Sequence, residues 1–113
     1  MDPGALAWAG RWDDVMVAIQ RTVTVVHRQG LHARPAALFV QIAKRFVSRV
    51  IVKKGRKIVD GKSIMGLLTL AAHPGSRIVI KTEGPDAQDA LERLCQLVTQ
   101  PLPEPPKPAR RAI

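Results

Sequence analysis

A histidine and an arginine two positions apart, bracketed by a glycine and a proline, are the residues best placed to do chemistry: Gly30-Leu31-His32-Ala33-Arg34-Pro35-Ala36-Ala37. A neutral imidazole nitrogen is available near pH 7 as a nucleophile, and the phosphoramidate it forms with a phosphoryl group is a reactive donor. Gly30 permits a sharp entry into a predicted helix, so His32 and Arg34 stand where backbone N–H groups lack partners and the helix dipole is positive. Pro35 suits a first turn because its missing N–H would have been unpaired there. It also biases Arg34 away from helical angles, so the helix begins at either Ala33 or Pro35. A phosphoryl charge of about −2 would meet the dipole and the Arg34 guanidinium, each interaction worth on the order of 1 kcal/mol. Stabilisation that modest leaves the group transferable. On geometry alone, a lone histidine before a helix is more often a cap or a solvated side chain, so a second signal is needed.

That signal is Gly61-Lys62-Ser63-Ile64-Met65-Gly66-Leu67-Leu68-Thr69-Leu70-Ala71-Ala72. Taken in order, Gly-Leu-His-Ala-Arg-Pro-Ala-Ala at 30–37 and Lys-Ser-Ile-Met-Gly-Leu-Leu at 62–68 closely resemble HPr, the phosphocarrier family of the bacterial phosphoenolpyruvate-dependent phosphotransferase system. The likeness runs from about Ile19 to Val98, includes the turn Glu83-Gly84-Pro85-Asp86, and covers neither tail. The resemblance implies that His32 accepts a phosphoryl group on Nδ1 from phosphorylated Enzyme I and hands it to a IIA-type acceptor, with Arg34 steadying it. Such a protein is a carrier rather than an enzyme, and no cofactor is expected. The resemblance also implies a regulatory serine at Ser63, phosphorylated by HPr kinase where that enzyme exists; the residues themselves read equally well as a helix N-cap. A phosphate on Ser63 would be tolerated at a helix N-terminus and would oppose docking by an acidic partner. Ala37, Leu38, Ile64, Met65 and Leu68 are the partner-docking positions that the resemblance implies. Core packing is the alternative, stronger for Leu67 and Leu70 than for Met65.

The elements that must hold these residues are legible as periodicities. Ala18 to His27 is rich in β-branched residues, with Ile19, Val23 and Val25 on odd positions, and predicts a strand. Ala36, Val40, Ala43 and Val47 recur at helical spacing and predict an amphipathic helix from about Ala33 to Val47. Ser48–Lys54 and Lys57–Asp60 read as strands joined by a turn at Gly55-Arg56, and Ser63 precedes a short apolar helix that His73-Pro74-Gly75 stops. Arg77–Glu83 alternates as a strand. Gly84-Pro85-Asp86 supplies a turn and an N-cap for a closing helix whose stripe is Ala87, Leu91, Leu94 and Val98. The order β-α-β-β-α-β-α predicts an α+β fold with helices on one face. The resemblance makes this an HPr-like open-faced β-sandwich with a four-stranded antiparallel sheet.

With 113 residues and 46% hydrophobic content, the chain has room for one core, assigned to 18–100. Residues 1–17 are read as an N-terminal extension without an assigned role, holding Trp8 and Trp12 one helical turn apart. Met16 is a candidate true start, a hypothesis that the intact mass of the native protein tests. Residues 101–113 open with five prolines in eight residues and are expected to be a disordered tail. A single cysteine, Cys95, cannot form an internal disulfide. No stretch approaches the roughly 20 apolar residues of a membrane span, and the first fifteen residues lack the apolar run of a secretory signal. A cytoplasmic location is therefore expected, and the protein is expected to be a monomer. No His, Cys or carboxylate set has metal spacing, and His27 and His73 are read as surface or turn residues.

Eighteen Lys and Arg against nine Asp and Glu give a net charge of +9. Removing Arg11, Lys107, Arg110 and Arg111, and Asp2, Asp13, Asp14 and Glu104, leaves fourteen against five in 18–100, the same net. The field belongs to the domain, and Lys53-Lys54-Gly55-Arg56-Lys57 concentrates four cations at one turn, either for docking to acidic surfaces or as a solvated tip. A basic nucleic-acid-binding module is the rival of a different class, but the domain lacks paired aromatics for stacking bases. Within the family, a nitrogen-related regulatory carrier is the rival that these motifs do not separate.

Overall fold

Strands whose alternate residues are apolar, set among amphipathic helices, can bury both patterns only by laying the helices on one face of a sheet. In the computed structural model, which describes residues 17–100, the chain does this. Its elements are β1 (Ala18–Thr24), α1 (Ala33–Ala43), β2 (Arg49–Lys54), β3 (Lys57–Asp60), α2 (Ile64–Thr69), β4 (Arg77–Glu83) and α3 (Ala87–Thr99). The expectations for Met16, for the N-terminal extension up to residue 16 and for the Pro-rich tail lie outside the described residues.

The four strands form one antiparallel sheet in the order β1-β4-β2-β3. Register places Ile19 opposite Thr82 and Thr82 opposite Val50, while Ile80 lies between Arg21 and Val52. The buried side chains of β2 and β4, Val50, Val52, Ile78, Ile80 and Thr82, alternate with more exposed ones. The four apolar ones meet Phe39 and Val40 of α1, Leu67 of α2, and Leu91, Leu94 and Val98 of α3 in one core. The architecture is the α+β sandwich expected, with three helices on one side of four strands.

Three local expectations are corrected. First, β1 ends at Thr24 rather than His27, because Thr24 faces Arg77, the first residue of β4, and no partner strand extends further. Val25 N–H donates instead to Ser76 O (2.9 Å) and Val26 N–H to Val98 O (3.3 Å), turning the chain toward the helices. Second, α1 stops at Ala43, and Val47, placed on its apolar stripe by periodicity, is 78% exposed. The reason lies in Asp86, whose carboxylate accepts Val47 N–H and Ser48 N–H, each at 2.9 Å, and the Ser48 hydroxyl. The chain leaves α1 through tight bonds from Arg45 N–H to Ile42 O and Phe46 N–H to Ala43 O, while Lys62 Nζ donates to Phe46 O at 2.9 Å. Third, Asp86 does stand at the N-cap of α3, but its side chain makes no capping bond; it is spent on the α1–β2 connection. Gly84 allows this approach: its φ is +146°, and a Cβ there would lie 2.5 Å from Ser48 Oγ.

Candidate functional site

The loop that delivers His32 is built from backbone bonds. His27 O accepts Gly30 N–H at 2.9 Å to close a turn, and Leu31 N–H donates to Ala72 O at 2.9 Å. Gly30 sits at φ +72°, and a Cβ on it would lie 1.9 Å from that same Ala72 oxygen. Only glycine fits there, for conformation and for space. The two sequence motifs, read separately along the chain, therefore meet at Leu31 and Ala72, and Leu31 is buried beneath the contact.

His32 follows as the N-cap of α1, extended at φ −82° and ψ −168°, and half-buried. Its carbonyl accepts Ala36 N–H at 3.0 Å, the first bond of the helix, while its ring makes no capping bond. The helix begins at Ala33, which settles the choice between Ala33 and Pro35. Pro35 becomes the third helical residue, where the missing N–H costs nothing. Arg34 lies exposed in the same first turn. An imidazole not used for capping thus stands at the positive end of an eleven-residue helix, with an arginine two residues on. A phosphoryl group on that ring would face the field of first-turn amides.

Ser63 is the N-cap of α2, its Oγ accepting Gly66 N–H at 3.1 Å. It stands at the opposite end of α2 from Ala72, separated by a helix length of roughly 9 Å. α1 and α2 are packed side by side. Ile64, Met65 and Leu68 are exposed on α2, Met65 at 70%, whereas Ala37 and Leu38 on α1 are half-buried. Leu67 and Leu70 are in the core.

The hairpin cations divide. Lys54 Nζ donates to Ala71 O (3.0 Å) and Leu70 O (3.5 Å), and Lys57 Nζ to Thr69 O (2.6 Å), so both hold the carbonyl end of α2. Their use is structural, which sequence reading missed because the recipient carbonyls are more than ten residues away. Ala71, held there, has a left-handed φ of +51°. His73 is exposed, as expected, but His27 is buried, with Nε2 2.7 Å from Leu97 O. Burial pushes the Cys95 thiol up from 9.0 despite the nearby Arg21, so it stays protonated and unreactive near neutrality. Among the described residues no cluster of three His, Cys, Asp or Glu could hold a metal, and no helix is long and apolar enough to cross a membrane.

Residues 19–100 match the family model described as the PTS HPr component phosphorylation site. The chain belongs to the HPr family. It is 44% identical over 80 residues to the phosphocarrier protein HPr of Cupriavidus necator, spanning 71% of this chain and 90% of that one. With the HPr-like protein Crh of Bacillus subtilis it shares 48% over 82 residues, 73% of this chain and 96% of the relative. Among solved structures, HPr from Bacillus anthracis superposes with a TM-score of 0.71 at 49% identity, covering 74% of this chain and 99% of the other. HPr proteins are phosphocarriers of the phosphotransferase system and not enzymes, and they work through a transient phosphohistidine; that general role extends to this chain.

Proposed function

We infer that His32 is the phosphoryl acceptor, that it is loaded by phosphorylated Enzyme I, and that it passes the group to IIA-type proteins in the cytoplasm. The supporting observation is a half-buried imidazole at the N-cap of α1 that makes no capping bond, with Arg34 in the following turn. In the transfer, Nδ1 attacks phosphorus as the bond to the Enzyme I histidine breaks; the reverse chemistry on a IIA histidine regenerates neutral His32. Arg34 and the helix terminus offset the phosphoryl charge by only about 1 kcal/mol each, so the group stays transferable. Ile64, Met65 and Leu68, with Ala37 and Leu38 beside them, form the apolar surface on which both partners sit. The protein acts as a monomer.

Incubating the chain with Enzyme I and phosphoenolpyruvate yields an acid-labile phosphate. His32→Ala abolishes the label and Ser63→Ala retains it; a histidine variant that is still labelled refutes the assignment. A second reading, regulation through phosphorylation of Ser63, is favoured by the place of that serine at the N-cap of α2, beside exposed Ile64 and Met65. Its phosphate would replace the hydroxyl at the N-cap of α2, one residue from Ile64, and oppose an acidic partner on that surface. HPr kinase with ATP labels the wild type and not Ser63→Ala if this second reading holds.

A further inference from the structure

We propose that His27 is a positioning residue for phosphoryl transfer: its ring ties the loop that carries His32 to the end of α3. This rests on the reading of His32 as the acceptor and deepens it. His27 is 5% exposed, one of three buried polar or charged residues among those described, and its Nε2 lies 2.7 Å from Leu97 O. A carbonyl oxygen can only accept, so the geometry assigns the proton to Nε2, which donates. Leu97 lies in the last turn of α3, where carbonyls have no partner within the helix. The next carbonyl, Val98 O, takes Val26 N–H. Residues 26 and 27 thus close the end of α3, and α3 in turn fixes where the loop begins.

The other end of the loop is held by Leu31 N–H on Ala72 O, and its middle by the turn from His27 O to Gly30 N–H. The loop is gripped between α3 on one side and the α2–β4 connection on the other. The grip of His27 comes from a side chain, so a substitution can release it without altering the backbone. His27 precedes His32 by five residues and directs its ring at α3, so it touches no phosphoryl group and acts only through the placement of His32. A misplacement of about 1 Å at a reacting centre can slow a reaction about a hundredfold. Loss of this bond should appear in the transfer step rather than in docking, because Ile64, Met65 and Leu68 are untouched.

The test compares full-length His27→Phe, which keeps a flat ring without a donor, with His27→Gln, whose amide restores one. His27→Asn, whose shorter arm falls short of Leu97, replaces the Phe variant if that chain does not fold. Transfer from phosphorylated Enzyme I is measured at limiting and saturating donor, alongside amide hydrogen exchange at Gly30, Leu31 and, as reference, Ile80. His27→Phe should lower the maximal transfer rate by about 10- to 100-fold with little change in KM. It should also speed exchange at Gly30 and Leu31 by about tenfold more than at Ile80, and His27→Gln should recover both. Wild-type transfer by the Phe variant, exchange that quickens equally at Ile80, or failure of Gln to rescue would each overturn the proposal. A wild-type chain unlabelled on His32 would sink the acceptor reading instead, and the exchange comparison would still decide whether His27 anchors the loop.

Discussion

Asp86 shows how one carboxylate can organise a junction between two elements. Partial desolvation pushes its pKa up, but the Ser48 hydroxyl and the amides of Val47 and Ser48 together outweigh that and hold it below the ordinary 3.8. The folded state therefore binds this proton less readily than the unfolded chain does, and the stabilisation is present above pH 3.8 and lost as pH falls below it through the folded-state value. Asp86→Ala should cost about 2 kcal/mol at pH 7, since it leaves buried donors at Ser48 unpaired. Urea unfolding should show the gap between wild type and variant closing in acid; a gap that persists there would mean that the cost is not electrostatic. Residues with local partners were legible in the sequence: His32, Arg34 and Pro35 announce a helix start by neighbours alone, and Ser63 caps three residues ahead. The use of the Asp86 side chain at the α1–β2 connection and the burial of His27 were missed because their partners lie 38 and 70 residues away, beyond what any window of periodicity reports.

At the scale of elements, α2 is the least self-sufficient, since six residues are too few to hold a helix in water without tertiary support. Support comes from Ser63 at one end, from Lys54 and Lys57 on the last carbonyls at the other, and from buried Leu67. Replacing both lysines with methionine keeps their aliphatic stems but removes the donors. It should cost about 1 kcal/mol, a fall of about 5 °C in Tm for a domain of this size. If the proposed docking surface, which includes Met65 and Leu68 of α2, is right, affinity for Enzyme I should fall too, whereas Arg56→Ala, at the exposed turn, should leave stability unchanged. Calorimetry and titration check both halves; equal effects of the Lys and Arg changes would show the cations to be merely a field. Strand and helix identities were legible from periodicity, but the end of α1 was not, because the stripe through Val47 is genuine and the interruption comes from Asp86 across the fold.

For the whole molecule, charge and topology have different origins in the chain. Residues 18–59 contain ten Lys and Arg and no Asp or Glu, and this half includes α1 and the His32 loop. Association with an acidic partner should be steered by this field, so its on-rate should fall about tenfold or more between low and high salt, while Met65→Ala should act mainly on the off-rate. Stopped-flow measurements separate the two; a salt-independent on-rate would remove steering from the account. The β2–β3 hairpin was legible because its turn is local. The pairing of β1 with β4 joins segments more than fifty residues apart, and the family likeness implied only a four-stranded antiparallel sheet, not its strand order.

That pairing has a consequence for synthesis. β1 is made first, yet its sole strand neighbour, β4, is also the strand on which β2 pairs, and it leaves the ribosome after two-thirds of the domain. Until then the nascent chain can close only a hairpin and local helical turns, and the carbonyls of α3 that receive Val26 and His27 do not yet exist. A half-translated chain therefore contains the histidine motif in full while lacking the α3 carbonyls on which its loop closes, so under the proposed role of His27 the carrier becomes competent only when its last helix has been added.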